Sequence, residues 1–423
     1  MLLRRHYWMS QRRVLSSFRG TWILSFIFVS AFIWTLLGSK HRVVSVGPLT
    51  LKHVREGRRS GGSVYIPPSW LNHSPGPVDE PFTNSTILKR AEYAHFLAQE
   101  QQAFLSRSNI PLIVHQTWRT LEPKSWSNTL KACTEKWIHA AINGGNEDEY
   151  VNGREMAWFL WDDEGIDMLM KEYEPVLYDN YFQRLPYPVE KADVFRIVVL
   201  KWFGGVYADV DSEPLKHPYG WIYDSDLSSW RGNNDSLTHA TTNIDAIFGI
   251  EADNPPEPDA RYWRMGYTFP VQLTNWALAM APQHPVAAQY IDQLWRAVVE
   301  SRDIRAVDPL DITGPPALTS AVQAVAGRDE QMSWNDLSAR GEPGGGRGKT
   351  VAANTLILPI TAFSPGRGFF QNMGSKSVTH RNARLHHSAA GSWRVKDIKV
   401  ETGKLCRQLF GLCRDWSKIP DVS

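Results

Sequence analysis

Asp209 and Asp211 stand one residue apart in GGVYADVDSEP (residues 204–214), directly behind an apolar run that ends in two glycines. On an extended strand, residues i and i+2 project to one face, so the two carboxylates are expected to point together. Two anions so placed repel each other unless a cation lies between them or one keeps its proton. Carboxylate oxygens are hard ligands that suit Mg²⁺ or Mn²⁺, ions that can in turn bridge two phosphate oxygens. Aspartate is also common in solvated strand-end turns, so Asp-x-Asp alone leaves both readings open; the preceding FGGVY favours the metal.

The elements that must carry this pair alternate. IPLIVHQTW (110–118) and AWFLWDDEG (157–165) each read as an apolar strand running into a polar end, and VYADVD reads as a third. EKADVFRIVVLKWFGG (190–205) has helical spacing stopped by Gly204 and Gly205. DAIFGIEA (245–252) is another strand, and Val351–Ile360 a late one. The stretch from Thr274, TNWALAMAPQHPVAAQYIDQLWRAVVES, is expected to be a helical pair broken at Pro282 and Pro285. This alternation predicts an α/β domain with a mainly parallel central sheet. The ligand crevice of such a sheet lies outside the strand carboxyl ends, at His115–Trp118, Asp162–Asp163 and Asp209–Asp211. Asp193 and Arg196, one helical turn apart, can both face it.

Thr21–Leu37 is 17 residues without a charge, near the minimum for a bilayer-spanning helix. Arg4, Arg5, Arg12, Arg13 and Arg19 precede it. The expected layout is a cytosolic tail (1–20), a transmembrane anchor (21–37), a Gly/Ser/Pro-rich stem (38–86), a luminal catalytic domain (87–400) and a C-terminal tail (401–423). Residues 87–107 read as the helix leading into that domain. Sequons at Asn72, Asn84 and Asn234 agree with a luminal body. A net charge of +2 gives no basic field for nucleic acid. Cys133, Cys406 and Cys413 form no metal knuckle; Cys406 and Cys413 are free to pair in an oxidising lumen. GEPGGGRGKT (341–350) imitates a phosphate-binding loop, but Pro343 stands where that pattern needs glycine and no buried strand precedes it, so it reads as a mobile loop.

ADVFRIVVLKWFGGVYADVDSEPLKHP resembles the Asp-x-Asp segment of glycosyltransferase family 32. IVHQTW (113–118), GIEAD (249–253), QLTNWALAMAPQHPV (272–286), DITGPPALTSAV (311–322), LILPITAFSPG (356–366) and HHSAAGSW (386–393) follow in the family's order. The resemblance spans roughly residues 110–394 and implies a GT-A fold in a single-pass type II Golgi membrane protein. It implies metal-dependent transfer of mannose from GDP-mannose with retention of configuration, most simply in alpha-1,6 linkage onto an N-glycan core. Transfer to inositol phosphorylceramide, or a non-catalytic place in a mannan-synthesising complex, are the alternatives. The implied cofactor is Mn²⁺ or Mg²⁺, held by Asp209, Asp211 and His387, with His386 a rival in register. Asp193 and Arg196 would meet the donor sugar and diphosphate, together with Asp209. Gln116 and Thr117 would close the first strand near the nucleotide, with Trp118 a stacking ring. Thr313 and Gly314 would offer backbone amides at a helix start. No nucleophile is identified; Asp162 and Asp163 are the candidates for a base. The proline-rich 249–270 segment and the Gly341–Thr350 region are longer than the family pattern, and acceptor choice commonly lives in such loops.

Overall fold

Thirteen strands are present in a computed structural model whose described residues are 48–71, 85–144, 153–231, 237–238, 243–254, 262–300, 309–327, 333–366, 373–389 and 398–413. In chain order they are β1 (Arg58–Arg59), β2 (Gly62–Tyr65), β3 (Ile113–Thr117), β4 (Ala157–Trp161), β5 (Gly205–Ala208), β6 (Ser212–Pro214) and β7 (Trp230–Arg231). Then follow β8 (Leu237–Thr238), β9 (Ala246–Asp253), β10 (Val271–Met280), β11 (Lys349–Val351), β12 (Thr355–Leu358) and β13 (Leu385–His387). Nine form one sheet in the order β1-β2-β4-β3-β5-β10-β9-β12-β11, and β6 with β13 makes a separate antiparallel ribbon. The expected membrane anchor Thr21–Leu37 and the asparagines of the three sequons lie outside the described residues, among which no helix is long and apolar enough to cross a membrane.

β3 runs parallel to both β4 and β5, and β9 parallel to β12, while β10 is inserted antiparallel between β5 and β9. The sheet is therefore mixed, with its long strands other than β10 sharing one direction. β4, AWFLW, is buried at every position, as expected of a strand covered on both faces. Helices Ile87–Glu100, Asp163–Tyr173, Pro188–Phe203 and Pro285–Glu300 supply cover.

Four expectations are corrected. Residues 271–280 are a strand; only Pro285–Glu300 of the expected helical pair is helical. Ala, Leu and Met dominate that run and mimic helix propensity, but a central strand buried on both faces also reads as continuous apolar sequence. The stem assigned to 38–86 is partly domain: Pro48–Glu56 is helical and β2 pairs with β4, extending the sheet. The C-terminal boundary at residue 400 cuts a helix, Ile398–Phe410, which ends at a disulfide between Cys406 and Cys413. The Gly341–Thr350 segment is pinned rather than loose, because Lys349 is buried and donates to the Asp336 and Ser338 carbonyls at 2.8 Å each. Its ammonium thus points inward, which removes the remaining likeness to a phosphate-binding loop.

The two glycines of the FGG run have a steric reason. Gly204 caps the helix Pro188–Phe203 at φ +65°, and Gly205 at φ +103° passes so close to β3 that a Cβ would lie 2.4 Å from the Ile113 carbonyl oxygen. His115, fully buried on β3, fastens this crossing: its Nε2–H reaches the Gly204 carbonyl at 3.2 Å, and Nδ1 accepts from Trp161 at 3.2 Å. Burial pushes the His115 imidazole down to about 3. Its folded value is depressed below the ordinary 6.5, so its contribution is complete above about pH 6.5 and lost as pH falls toward 3. At pH 4.5 the loss is about 3 kcal/mol relative to neutral pH. Urea unfolding from pH 7.5 to 4.5 should therefore show the stability gap between wild type and His115→Phe narrowing by about that amount; a gap constant with pH would contradict this.

Candidate metal and substrate site

The aspartate pair sits in a turn rather than on a strand. β5 stops at Ala208, and the Ser212 N–H returns to the Asp209 carbonyl at 2.9 Å, with the Ser212 hydroxyl on the same oxygen at 2.6 Å. The expected same-face projection along a strand is thus replaced by a tight turn that brings the carboxylates together by folding back. The Asp209 N–H still donates to the Trp276 carbonyl at 2.8 Å, so the turn is anchored to β10. Its chain exit, β6, leaves the main sheet and pairs with β13, setting Ser212 opposite His387.

That register decides between the two histidines. His387 Nε2 lies 3.1 Å from Asp211 Oδ1. His386 faces the other way, with Nδ1 3.2 Å from Glu213 Oε1, while Lys136 holds the second Glu213 oxygen at 2.5 Å. Donor atoms of Asp209, Asp211 and His387 all lie within 4.8 Å of one another. Two carboxylates and an imidazole in that span fit a divalent cation of the Mn²⁺ or Mg²⁺ kind. Burial pulls the His387 imidazole down, but its hydrogen bond with Asp211 and the negative charges of Asp211, Asp209 and Glu251 together outweigh this and leave it above the ordinary value. The ring is stacked on Trp276, centroids 4.7 Å apart and planes 6° from parallel, and Trp276 Nε1 is fixed on the Phe363 carbonyl at 3.2 Å. His387→Ala should weaken Mn²⁺ binding, measured by titration calorimetry, by at least about tenfold. His386→Ala should leave it within about twofold; equal losses would contradict the assignment.

Beneath the pair lies a buried charge network. Arg196 Nη2 is 2.9 Å from Asp193 Oδ1 and 3.4 Å from Asp209 Oδ1, and Nη1 donates to the Asn275 carbonyl at 2.5 Å. Asp193 accepts from Asn275 Nδ2 and from the Thr313 hydroxyl, each at 3.0 Å, and Tyr207 donates to Asp209 Oδ1 at 2.7 Å. Burial pushes the Asp193 carboxyl up to about 7, against the opposing pull of Arg196 and the Thr313 hydroxyl. It raises Asp209 as well, with Arg196 opposing. Asp193 and Arg196 are only 2% and 4% exposed, so in this state they support Asp209 from behind.

The other expected substrate residues are distributed unevenly. Gln116 is fully buried, accepting from Trp158 Nε1 at 2.9 Å and reaching the Asp209 carbonyl at 3.5 Å. The Thr117 hydroxyl donates to the Trp161 carbonyl at 3.1 Å. Trp118 is half-buried at the carboxyl end of β3, with the Arg119 guanidinium 5.6 Å from its ring centre. Thr313 and Gly314 do not present an amide surface: both are buried, and the helix they precede begins Pro315-Pro316, which has no N–H to offer. Asp162 is engaged as an N-cap, accepting from the Gly165 N–H at 3.0 Å, which leaves Asp163 as the exposed acid of the two. Trp276, Tyr207 and Asn275 were not anticipated. Two of them lie on β10, where its pairing with β9 is irregular between Leu273 and Leu278. Cys133 is buried and its thiol is pushed up to about 12, chiefly by burial.

Residues 83–235 match the family described as "Glycosyltransferase sugar-binding region containing DXD motif". The chain is 34% identical over 226 residues to the initiation-specific alpha-1,6-mannosyltransferase of Schizosaccharomyces pombe, covering 50% of this chain and 49% of that protein. It therefore spans about half the length of that relative. The protein of the same name from Candida albicans is 24% identical over 351 residues, 77% of this chain and 80% of its own. Inositol phosphoceramide mannosyltransferase 3 of S. pombe is 34% identical over 140 residues, 31% of this chain and 32% of its own.

Proposed function

We propose that this chain, which carries a DXD-type glycosyltransferase sugar-binding region, is a metal-dependent retaining mannosyltransferase. In this reading it moves mannose from GDP-mannose to a glycan, in alpha-1,6 linkage onto an N-glycan core, as a Golgi membrane protein anchored by residues 21–37. The convergence of Asp209, Asp211 and His387 at the carboxyl end of parallel strands is the observation that carries it. The alpha-1,6 reading is preferred over transfer to inositol phosphorylceramide because the likeness to a relative named initiation-specific alpha-1,6-mannosyltransferase extends over 351 residues, against 140 for the one named inositol phosphoceramide mannosyltransferase. The disulfide Cys406–Cys413 supports an oxidising compartment. Membership of a mannosyltransferase complex is part of the same proposal.

A divalent ion held by Asp209, Asp211 and His387 would neutralise charge developing on the departing diphosphate. Tyr207 and Arg196 fix the Asp209 carboxylate, and Trp276 fixes the plane of the His387 ring. Trp118 stands at the end of the neighbouring strand as the ring available to a base. Preorganisation of this kind lowers the barrier because little has to move as charge develops.

The test is to incubate the full chain in detergent with Mn²⁺, a panel of GDP- and UDP-sugars, and either an N-glycan core or inositol phosphorylceramide. Turnover of GDP-mannose with the glycan, abolished by EDTA, is expected. Preference for a UDP-sugar would overturn the donor assignment, and transfer to the lipid alone would overturn the acceptor.

A further inference from the structure

A second cavity, of about 520 Å³, lies at the other end of the β6–β13 ribbon, between Lys216, Tyr223 and Arg384 on one side and the Gly341–Thr350 segment on the other. Its cations outnumber its acids. Asp226 is held by Arg384 Nη2 at 2.5 Å and by the Gly348 N–H at 2.7 Å, and Glu342 pairs with Lys349 at 2.8 Å. Lys216, Arg347 and Arg381 also line the space, and among the described residues none of them pairs with an acid. Lys216 Nζ donates to the Tyr223 hydroxyl at 2.6 Å and the Arg381 carbonyl at 2.5 Å, and Arg347 donates to the Ser225 and Ser229 carbonyls at 3.2 and 2.8 Å. Among the described residues the Arg381 guanidinium has no partner, and Arg384 Nε, on a side chain 1% exposed, has no acceptor.

Cations that merely fastened the loop to the ribbon would end on its carbonyls, as Arg347 and Lys216 do. An exposed Arg381 and an unanswered donor on buried Arg384 call for an acceptor from outside. We propose that this cavity binds a phosphate-bearing group. Guanidinium forks match the paired oxygens of a phosphate ester, and three uncompensated charges around one concavity suit a dianion better than a neutral sugar. Lys216 is five residues beyond Asp211, at most about 18 Å along the chain, so one acceptor could occupy both sites. The phosphate could belong to a phosphorylated glycan or to an inositol-phosphate headgroup, which share this chemistry.

Thermal unfolding of the full chain in detergent and EDTA, with inorganic phosphate titrated at constant ionic strength, tests the proposal. Saturable stabilisation is expected, unchanged in Asp211→Asn, with the apparent Kd rising at least about tenfold in Arg347→Gln/Arg381→Gln. Arg381→Gln alone, at an exposed side chain, should show the same direction without disturbing the fold. Tighter binding of myo-inositol 1-phosphate would identify the headgroup as the source, and tighter binding of mannose 6-phosphate the glycan. Stabilisation that fails to saturate, or that is equal in the arginine variants, would overturn the site. Loss with Asp211→Asn would assign the phosphate to the metal site instead and equally overturn it.

Discussion

Asp211→Asn is expected to lower kcat/KM for mannosyl transfer by at least about a hundredfold, with the chain still folded. Asp211 lies in the turn after β5, with one oxygen 3.1 Å from His387 Nε2. The substitution keeps size and hydrogen-bonding reach but removes one negative charge from the three-residue donor set. A hundredfold loss corresponds to about 2.7 kcal/mol of barrier, within what a metal clamp on a leaving phosphate supplies. Asp209→Asn should do the same and also disturb the layer beneath, because its carboxylate is the acceptor for Tyr207 and a counter-charge to Arg196. Initial rates at saturating and limiting Mn²⁺ check both. The predicted signature is activity that excess metal restores only in part; wild-type rates in either variant would show that this carboxylate does not hold a catalytic ion.

The largest stability effect is expected at Arg196. Arg196→Ala removes a cation that faces both Asp193 and Asp209 and leaves the Asn275 carbonyl without this donor. Deleting one member of a buried ion pair costs about 3–5 kcal/mol, because the remaining charge stays desolvated. Asp193 softens the penalty by protonating, since burial already holds it near neutrality. An acid whose folded value is raised stabilises below its unfolded value and loses that contribution as pH rises toward the folded one. The Arg196→Ala penalty should therefore be smaller at pH 5 than at pH 8. Urea denaturation at both values, with Arg196→Met/Asp193→Asn as the variant that removes both charges, measures it. The double variant should recover much of the stability; a single-variant cost below about 1 kcal/mol would show that the network is not holding the turn.

Much of this arrangement could be read from residue order. The parallel strands announced themselves as apolar runs ending in acids or polar loops, and the FGG run ends the helix before β5 as its glycines predicted. Asp193 and Arg196, a turn apart, do meet, and His387 does reach Asp211. What stayed hidden depends on contacts distant in sequence. Trp276 and Asn275 belong to a strand whose alanines, leucine and methionine look helical, and only its pairing with β5 and β9 makes it extended. The RRSGG stretch resembled a linker because its glycines suggest freedom. In the fold they provide a tight passage: a Cβ on Gly62 would lie 2.3 Å from the Leu160 carbonyl oxygen. Arg384 and Asp226, 158 residues apart, form an ion pair that no local pattern encodes.

The central claim is that a turn, a ribbon strand and a stacked tryptophan together build one divalent-cation site. Electron paramagnetic resonance of Mn²⁺ titrated into the full chain tests it most directly. One bound ion per chain is predicted, tightened by GDP, and lost when Asp209 and Asp211 are both changed to Asn. Binding of the same stoichiometry and affinity in that double variant would contradict the account.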